Sequence, residues 1–170
     1  MFEIQLTQGQ VAIVDAIDAD LAQFKWSAAF RPDYGDGGRY VASRKLRVSS
    51  CPYKATTLLM HRVIMSRVMD RPLFRWEIVD HIHGLTLDNR RSELRLATPS
   101  QSNMNRGLPR NSTTGLKGVT WSNYAHKWMA KIRINRKSKT LGYFDTPEEA
   151  HEVYKKAAID LFGEFVNLGY

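Results

Sequence analysis

The chain has 170 residues, with 25 Lys and Arg against 17 Asp and Glu, a formal net charge of +8. Four Trp, seven Tyr, seven Phe and a 43% hydrophobic fraction supply a core for one domain or two small ones and exclude wholesale disorder. Cys51 is the sole cysteine, which excludes an internal disulfide framework and a cysteine zinc knuckle.

Folding itself does not require the cationic excess, so the charge implies a polyanionic partner, with nucleic acid first. The start, MFEIQLTQGQ, has no basic segment leading into an apolar run. No window approaches the roughly 20 apolar residues of a membrane span. The expectation is a soluble, unprocessed, cytoplasmic chain with no membrane partner.

In chain order, short alternating or apolar runs at 4–6, 11–14, 25–29 and 39–43, separated by Gly, Asp and Pro, predict strands and turns. Residues 18–24 predict a helical turn or two. RPDYGDGG, from Arg31 to Gly38, is a turn-rich loop, and 55–59 a further strand. Over 60–69, Val63, Ile64 and Val68 recur at helical spacing, with Arg62 and Arg67 elsewhere, and the pattern ends before Asp70 and Pro72.

Residues 76–80 read as a strand entering a loop and 93–97 as a returning strand. Thr98-Pro99-Ser100-Gln101 then carries the chemistry of a helix start, a capping hydroxyl followed by Pro at the first position and Gln to close the box. RGLPRNSTTG, 106–115, has no apolar period and reads as a linker. Three strands follow at 117–122, 127–134 and 139–144. A helix over 147–162 is capped by Thr146, buries Ala150, Val153, Tyr154, Ala157, Ala158 and Leu161, and stops at Gly163. There is no fold-level internal repeat.

The chemistry concentrates in VDHIHGLTLDNRRSELRLATPSQSNMNR, from Val79 to Arg106. An Asp beside a His suits metal-assisted hydrolysis, because a carboxylate holds a hard divalent cation and an imidazole takes a proton near neutral pH. Arg90, Arg91, Arg95 and Arg106 add guanidinium groups suited to clamping a phosphodiester. The plain alternatives are a surface Asp-His turn, a solvated arginine edge, and a packed His61. A zinc site from His61, His81 and His83 has no supporting Cys cluster or helical His pair.

Met60-His61-Arg62, Val79 to Gly84, Leu87-Asp88-Asn89-Arg90-Arg91, Leu94 to Thr98 and Asn103-Met104-Asn105-Arg106, taken in order, resemble the HNH endonuclease family, specifically its phage and intron-associated homing members. The resemblance implies a ββα-metal site holding one divalent cation, Mg2+ or alternatively Mn2+. It implies Asp80 as a metal ligand, His81 as general base, and Asn89 and Glu93 grouped with His81 as catalytic residues. Three positions depart from the family pattern. Glu93 stands where the family usually has Asn, Ser102 where the helix commonly supplies a ligand such as Asn, with Asn103 next in line, and His83 where Asp is usual. Glu93 is then expected either to orient His81 or to bind metal.

In KWMAKIRI, 127–134, alternation sends Lys127, Met129, Lys131 and Arg133 to one face and Trp128, Ala130, Ile132 and Ile134 to the other. Val119 and Trp121 are expected inside, Thr120 and Ser122 outside. Arg136, Lys137 and Lys139 add charge at the next turn, and together with Lys117 make a surface suited to phosphates. Lys117-Gly118-Val119, Trp128, Ala130, Ile132, Leu141 to Thr146 and the Ala-rich helix resemble an APETALA2-type DNA-binding domain. That resemblance implies a sheet lying in the major groove, with Thr120 and Ser122 at positions where plant members carry Arg.

The expected fold class is α+β. A β-rich segment and nuclease module occupy 1–105, with the ββα core near 76–105, then a linker at 106–115 and a sheet-on-helix DNA-binding domain at 116–170. The expected activity is site-specific, metal-dependent hydrolysis of double-stranded DNA, as a nick or a double-strand cut, by a monomer or homodimer. The alternative is a sequence-specific DNA-binding protein derived from such a nuclease. RNA binding ranks behind both, because the sheet lacks an obvious exposed pair of aromatics on adjacent strands.

Overall fold

The computed structural model describes all residues except 33–37, 49–50, 109–111, 135–136 and 169–170, and for 47–48 and 51–55 the backbone alone. The architecture is α+β, with small antiparallel sheets and few helices, and it forms two compact units, one up to Thr98 and one from Pro99 onward. Parts of the Arg31 to Gly38 loop and of the 106–115 segment, together with Arg136, lie outside the described residues.

The first unit opens with β1 (Phe2–Gln5) paired to β2 (Val11–Val14), Phe2 opposite Val14 and Gln5 opposite Val11. A 3-10 helix, Ala16–Gln23, supplies the helical turns expected over 18–24. β3 (Ser27–Arg31), β4 (Arg39–Val48) and β5 (Cys51–Leu59) form a three-stranded sheet in that order, with the outer pairs of β4 running further than the sequence runs suggest. α1 (Met60–Val68) follows directly. Met60, Ile64 and Met65 turn inward with Val63 alongside, whereas Val68 at the last turn is exposed.

β6 (Ile78–His81) and β7 (Leu94–Ala97) pair antiparallel, Asp80 opposite Arg95 and His81 opposite Leu94. Val79 and Leu94 from this ribbon join Ile4, Val14, Trp26 and Ile64 in one core, so burial of β6 sets the position of the two residues that follow Val79. Trp76 and Glu77 precede the strand in a turn, so the strand begins two residues later than the run from Trp76 suggests.

The second unit contains α2 (Pro99–Met104), β8 (Val119–Ser122), β9 (Lys127–Ile134), β10 (Lys137–Phe144) and α3 (Pro147–Phe162), with sheet order β10-β9-β8. α3 starts as its sequence dictates: Thr146 Oγ1 accepts from Glu149 N at 3.3 Å, and Pro147 occupies the first turn. Its buried face is Ala150, His151, Tyr154, Ala158 and Phe162, packed on Ile132. Leu161 is exposed and Phe162 takes the expected inward place, because Phe162 sits four residues after Ala158 on the same stripe.

Trp121 is also more exposed than expected. It stands 46% exposed, edge-on to its cross-strand partner Trp128 at 5.1 Å between ring centroids. β8 is an edge strand, so one flank of Trp121 has no neighbouring strand to cover it.

Gly118 meets Tyr154 so closely that an added Cβ would lie 2.0 Å from the ring, and its φ of +78° is left-handed. Gly115, at φ +68°, has open space instead. Gly118→Ala is therefore expected to lower stability by overpacking as well as by backbone strain, by roughly 2–5 kcal/mol in sum. Gly115→Ala carries the backbone term alone, about 1–2 kcal/mol. Chemical denaturation of the two variants side by side checks the ordering.

Candidate active site and cationic sheet

His81 ends β6 as a buried residue, with the buried His61 of α1 set edge-on at 5.2 Å between ring centroids and 78° between planes. His61 is therefore packed, the plain alternative for it, and its Nδ1 is buried without a hydrogen-bond partner among the described residues. Burial pushes the His61 imidazole down to about 3, with His81, Arg62 and Arg31 adding to the shift. Burial also holds His81 below the ordinary imidazole value, opposed by the neighbouring Asn89 amide and by the carboxylates of Asp80, Asp88 and Glu93. Both rings are neutral at pH 7, and a neutral imidazole accepts a proton.

Asn89 is among the most deeply buried side chains. Its Nδ2 donates to Leu87 O at 3.0 Å, its backbone N to Ile13 O at 2.7 Å, and Ile13 N donates back to Leu87 O at 2.9 Å. These bonds staple the loop between β6 and β7 to β2. Thr86 Oγ1 donates to Tyr40 O at 2.6 Å and the Arg39 guanidinium to Gly84 O, tying the same loop to β4. His81 is thus held from the strand, the helix and the loop.

The guanidinium groups around this loop are taken up by carboxylates. Arg95 donates to Asp80 Oδ2 from Nη2 at 3.1 Å and from Nε at 3.3 Å, and both side chains are largely buried. Arg90 forks onto Asp88 at 2.9 and 2.6 Å, holding the Asp88 carboxyl below the usual range. Arg91 forks onto Asp18 at 2.8 and 3.1 Å, and Arg67 joins it at 3.0 Å. Burial pushes the wholly buried Asp18 upward, but the hydrogen bonds from Arg91 and Arg67 prevail and hold its pKa below the ordinary value. Glu93 contacts His83, Oε2 to Nδ1 at 2.7 Å.

Among the described residues no group of three or more His, Cys, Asp or Glu is arranged to hold a metal ion. Ser102 and Asn103 lie on α2 in the second unit, and Arg106 follows that helix.

In the sheet, register shows which cations share a face, since directly opposed residues point the same way. Thr120 faces Met129 and Ser122 faces Lys127 across β8 and β9, while Thr140 faces Lys131, Ser138 faces Arg133 and Tyr143 faces Met129 across β9 and β10. Lys127, Lys131 and Arg133 therefore stand in one exposed polar face with Thr120 and Ser122. Lys137 and Lys139 oppose Ile134 and Ile132, on the other side of the sheet. Lys127 pairs with Asp145 at 3.0 Å.

Lys117 is a tether. Its Nζ donates to the backbone oxygens of Met104, Arg106 and Asn167 at 3.0, 2.6 and 2.6 Å, and burial pushes the amine down to about 8.

No family model matches the chain, and no solved structure matches it. Two relatives do. A protein of Acanthamoeba polyphaga mimivirus named "Uncharacterized HNH endonuclease L560" is 31% identical over 113 residues, 66% of this chain and 58% of that protein. "Protein 3.8" of Escherichia phage T7 is 30% identical over 94 residues, 55% of this chain and 77% of that protein. The chain spans a little over half the length of the mimivirus protein. The mimivirus likeness is thus to a protein named as an HNH endonuclease. The chain belongs to one family with Protein 3.8 of phage T7.

The His61 shift sets an acid dependence. The folded pKa of about 3 lies below the ordinary 6.5, so the unfolded chain binds the proton first and stability falls as pH drops from about 6.5 towards 3. Urea midpoints measured between pH 7 and pH 4 are expected to decline in the wild type and to decline less steeply in His61→Gln.

Proposed function

We propose that the first unit hydrolyses phosphodiester bonds of DNA as an HNH endonuclease of the homing type, and that the second unit docks on duplex DNA. The observation that carries this reading is a neutral, buried imidazole, His81, held beside Asn89 and next in sequence to a carboxylate. His81 takes the proton from the attacking water, a role worth roughly 10²- to 10⁴-fold in rate. Asn89 beside the ring favours its uptake of a proton, and His61, packed edge-on against it, keeps it desolvated.

A divalent cation is part of the proposal. Asp80 supplies a hard carboxylate oxygen, and Mg2+ characteristically takes one or two protein carboxylates and completes its shell with water and substrate phosphate rather than a full protein cage. The donor chemistry therefore fits, with Asp80 as the ligand that the first unit supplies. When bound, the ion stabilises charge on the phosphate and the leaving oxygen. Arg95 holds the Asp80 carboxylate in place, and Glu93 acts on His83 rather than directly on the base.

For the second unit, Lys131 and Arg133 are the exposed cations of the β9 face besides Lys127, which pairs with Asp145, and they are flanked by Thr120 and Ser122 in a sheet-on-helix arrangement similar to an APETALA2-type domain. Phosphate neutralisation by these two side chains would give salt-sensitive binding. The second reading is a DNA-binding protein without cleavage. It is favoured by Arg95 on Asp80 and by His83 on Glu93, which pair both carboxylates internally.

Two measurements decide. The full chain is incubated with total genomic DNA in Mg2+ and in Mn2+, and the ends are mapped by sequencing. Discrete ends that are lost in His81→Ala are expected, whereas retained cutting in that variant overturns His81 as base, and tight binding with no cutting leaves the second reading. Separately, Lys131→Ala and Arg133→Ala are each expected to make the plot of log affinity against log salt shallower by about one.

A further inference from the structure

Between α1 and β6, Phe74 and Trp76 stack in parallel, 4.7 Å between ring centroids and 3° between planes, yet they stand 52% and 71% exposed. A pair so open to water contributes little burial, so the fold does not require it. The turn that carries it is held firmly nonetheless. Arg62 of α1 donates to Phe74 O at 3.0 Å and to Glu77 O, Arg71 forks onto the Glu77 carboxylate at 2.9 and 2.6 Å, Phe74 N donates to Glu77 Oε2 at 2.8 Å, and Glu77 N to Phe74 O at 3.2 Å. Arg75, between the two rings in sequence, is exposed and makes no ion pair or hydrogen bond among the described residues.

We propose that Phe74 and Trp76 form a stacking platform for one unpaired DNA base, with Arg75 taking the adjoining phosphate. Every base has a π face, so such a platform binds without sequence preference, and a rigid one incurs little ordering cost on binding. An indole beside an uncommitted guanidinium matches the two chemistries of a nucleotide. The base must be out of its duplex, because the faces of paired bases are covered by their neighbours. Trp76 lies five residues before His81, at most roughly 18 Å along the chain, so the captured base belongs within a few nucleotides of the bond that is cut. This inference rests on the nuclease reading for its substrate, and it deepens it by assigning the platform to locally opened DNA.

The test uses the full chain carrying His81→Ala, so that binding is read without cleavage. The probe is a short duplex with one bulged 2-aminopurine, compared with the same duplex fully paired. The expected results are tighter binding of the bulged duplex, fluorescence quenching as the base stacks, and a loss of about 10-fold or more in affinity for it with Trp76→Ala. Trp76→Phe is expected to restore most of that affinity, and Arg75→Ala to weaken it, with binding of the paired duplex unchanged by Trp76→Ala. Equal binding of both duplexes by the parent, or unaltered affinity and quenching with Trp76→Ala, overturns the platform. Those outcomes leave the nuclease reading standing, which falls instead if His81→Ala in an otherwise unaltered chain still cuts DNA.

Discussion

The first unit depends on one wholly buried carboxylate. Asp18 is wholly inaccessible, and a charge in that position is tolerable only because two guanidiniums reach it from elements far apart in sequence, Arg67 at the end of α1 and Arg91 at the start of the turn into β7. The same turn is bound a second time, Arg91 N donating to Asp15 Oδ2 at 2.8 Å. Through these bonds the 3-10 helix becomes the point at which α1 and the β6-β7 ribbon are aligned, and those are the two elements that bring His61 against His81. The geometry of the imidazole pair is therefore a consequence of charge pairing some distance away.

That pairing also divides the cations by task. Near the hairpin, Arg90, Arg91 and Arg95 each face a carboxylate within hydrogen-bond distance, so they act first as ties between segments. A guanidinium engaged in this way binds a phosphate only by giving up or sharing its carboxylate, whereas Lys131 and Arg133 on β9 have no such partner among the described residues. In the proposed arrangement the first unit supplies chemistry and the second supplies electrostatic affinity. A net charge of +8 measures neither by itself, because each internal pair removes one cation from service.

Signals written over a few neighbouring residues survived translation into structure. The alternation of 127–134, the Thr146 cap with Pro147 behind it, and the apolar run of Val11–Val14 each specify their element locally, and β9, α3 and β2 have those bounds. What was not legible depended on partners. Nothing near Arg91 in sequence points to Asp18, 73 positions away. The side of the sheet taken by Lys137 and Lys139 follows from pairing with Ile134 and Ile132, a register that a count of basic residues does not contain. Lys117 looks like any surface lysine until three backbone oxygens are found around its amine. In the candidate site, adjacency made the Asp80-His81 pair visible, while the engagement of Asp80 by Arg95 and of Glu93 by His83 emerges only when β6 and β7 are laid side by side.

The turn carrying Trp76 follows the same logic in reverse. Read as the first residue of a strand, an indole there would face a core, but the bonds from Arg62 and Arg71 hold Phe74 to Glu77 in a closed turn and delay β6 to Ile78. Two arginines and a glutamate are thereby committed to a segment whose own side chains bury little surface. A loose loop would hide its aromatics by collapsing them onto the nearest apolar surface, which is the cheaper outcome in water. Holding the Trp76 ring out in water, backed by Phe74 with the Arg71 guanidinium over it, requires the backbone to be constrained, and the constraint lies in the same stretch of chain that leads into the ribbon of His81. Rigidity that contributes little to the core is best understood as preparation for a ligand, since the ordering cost has been met before binding.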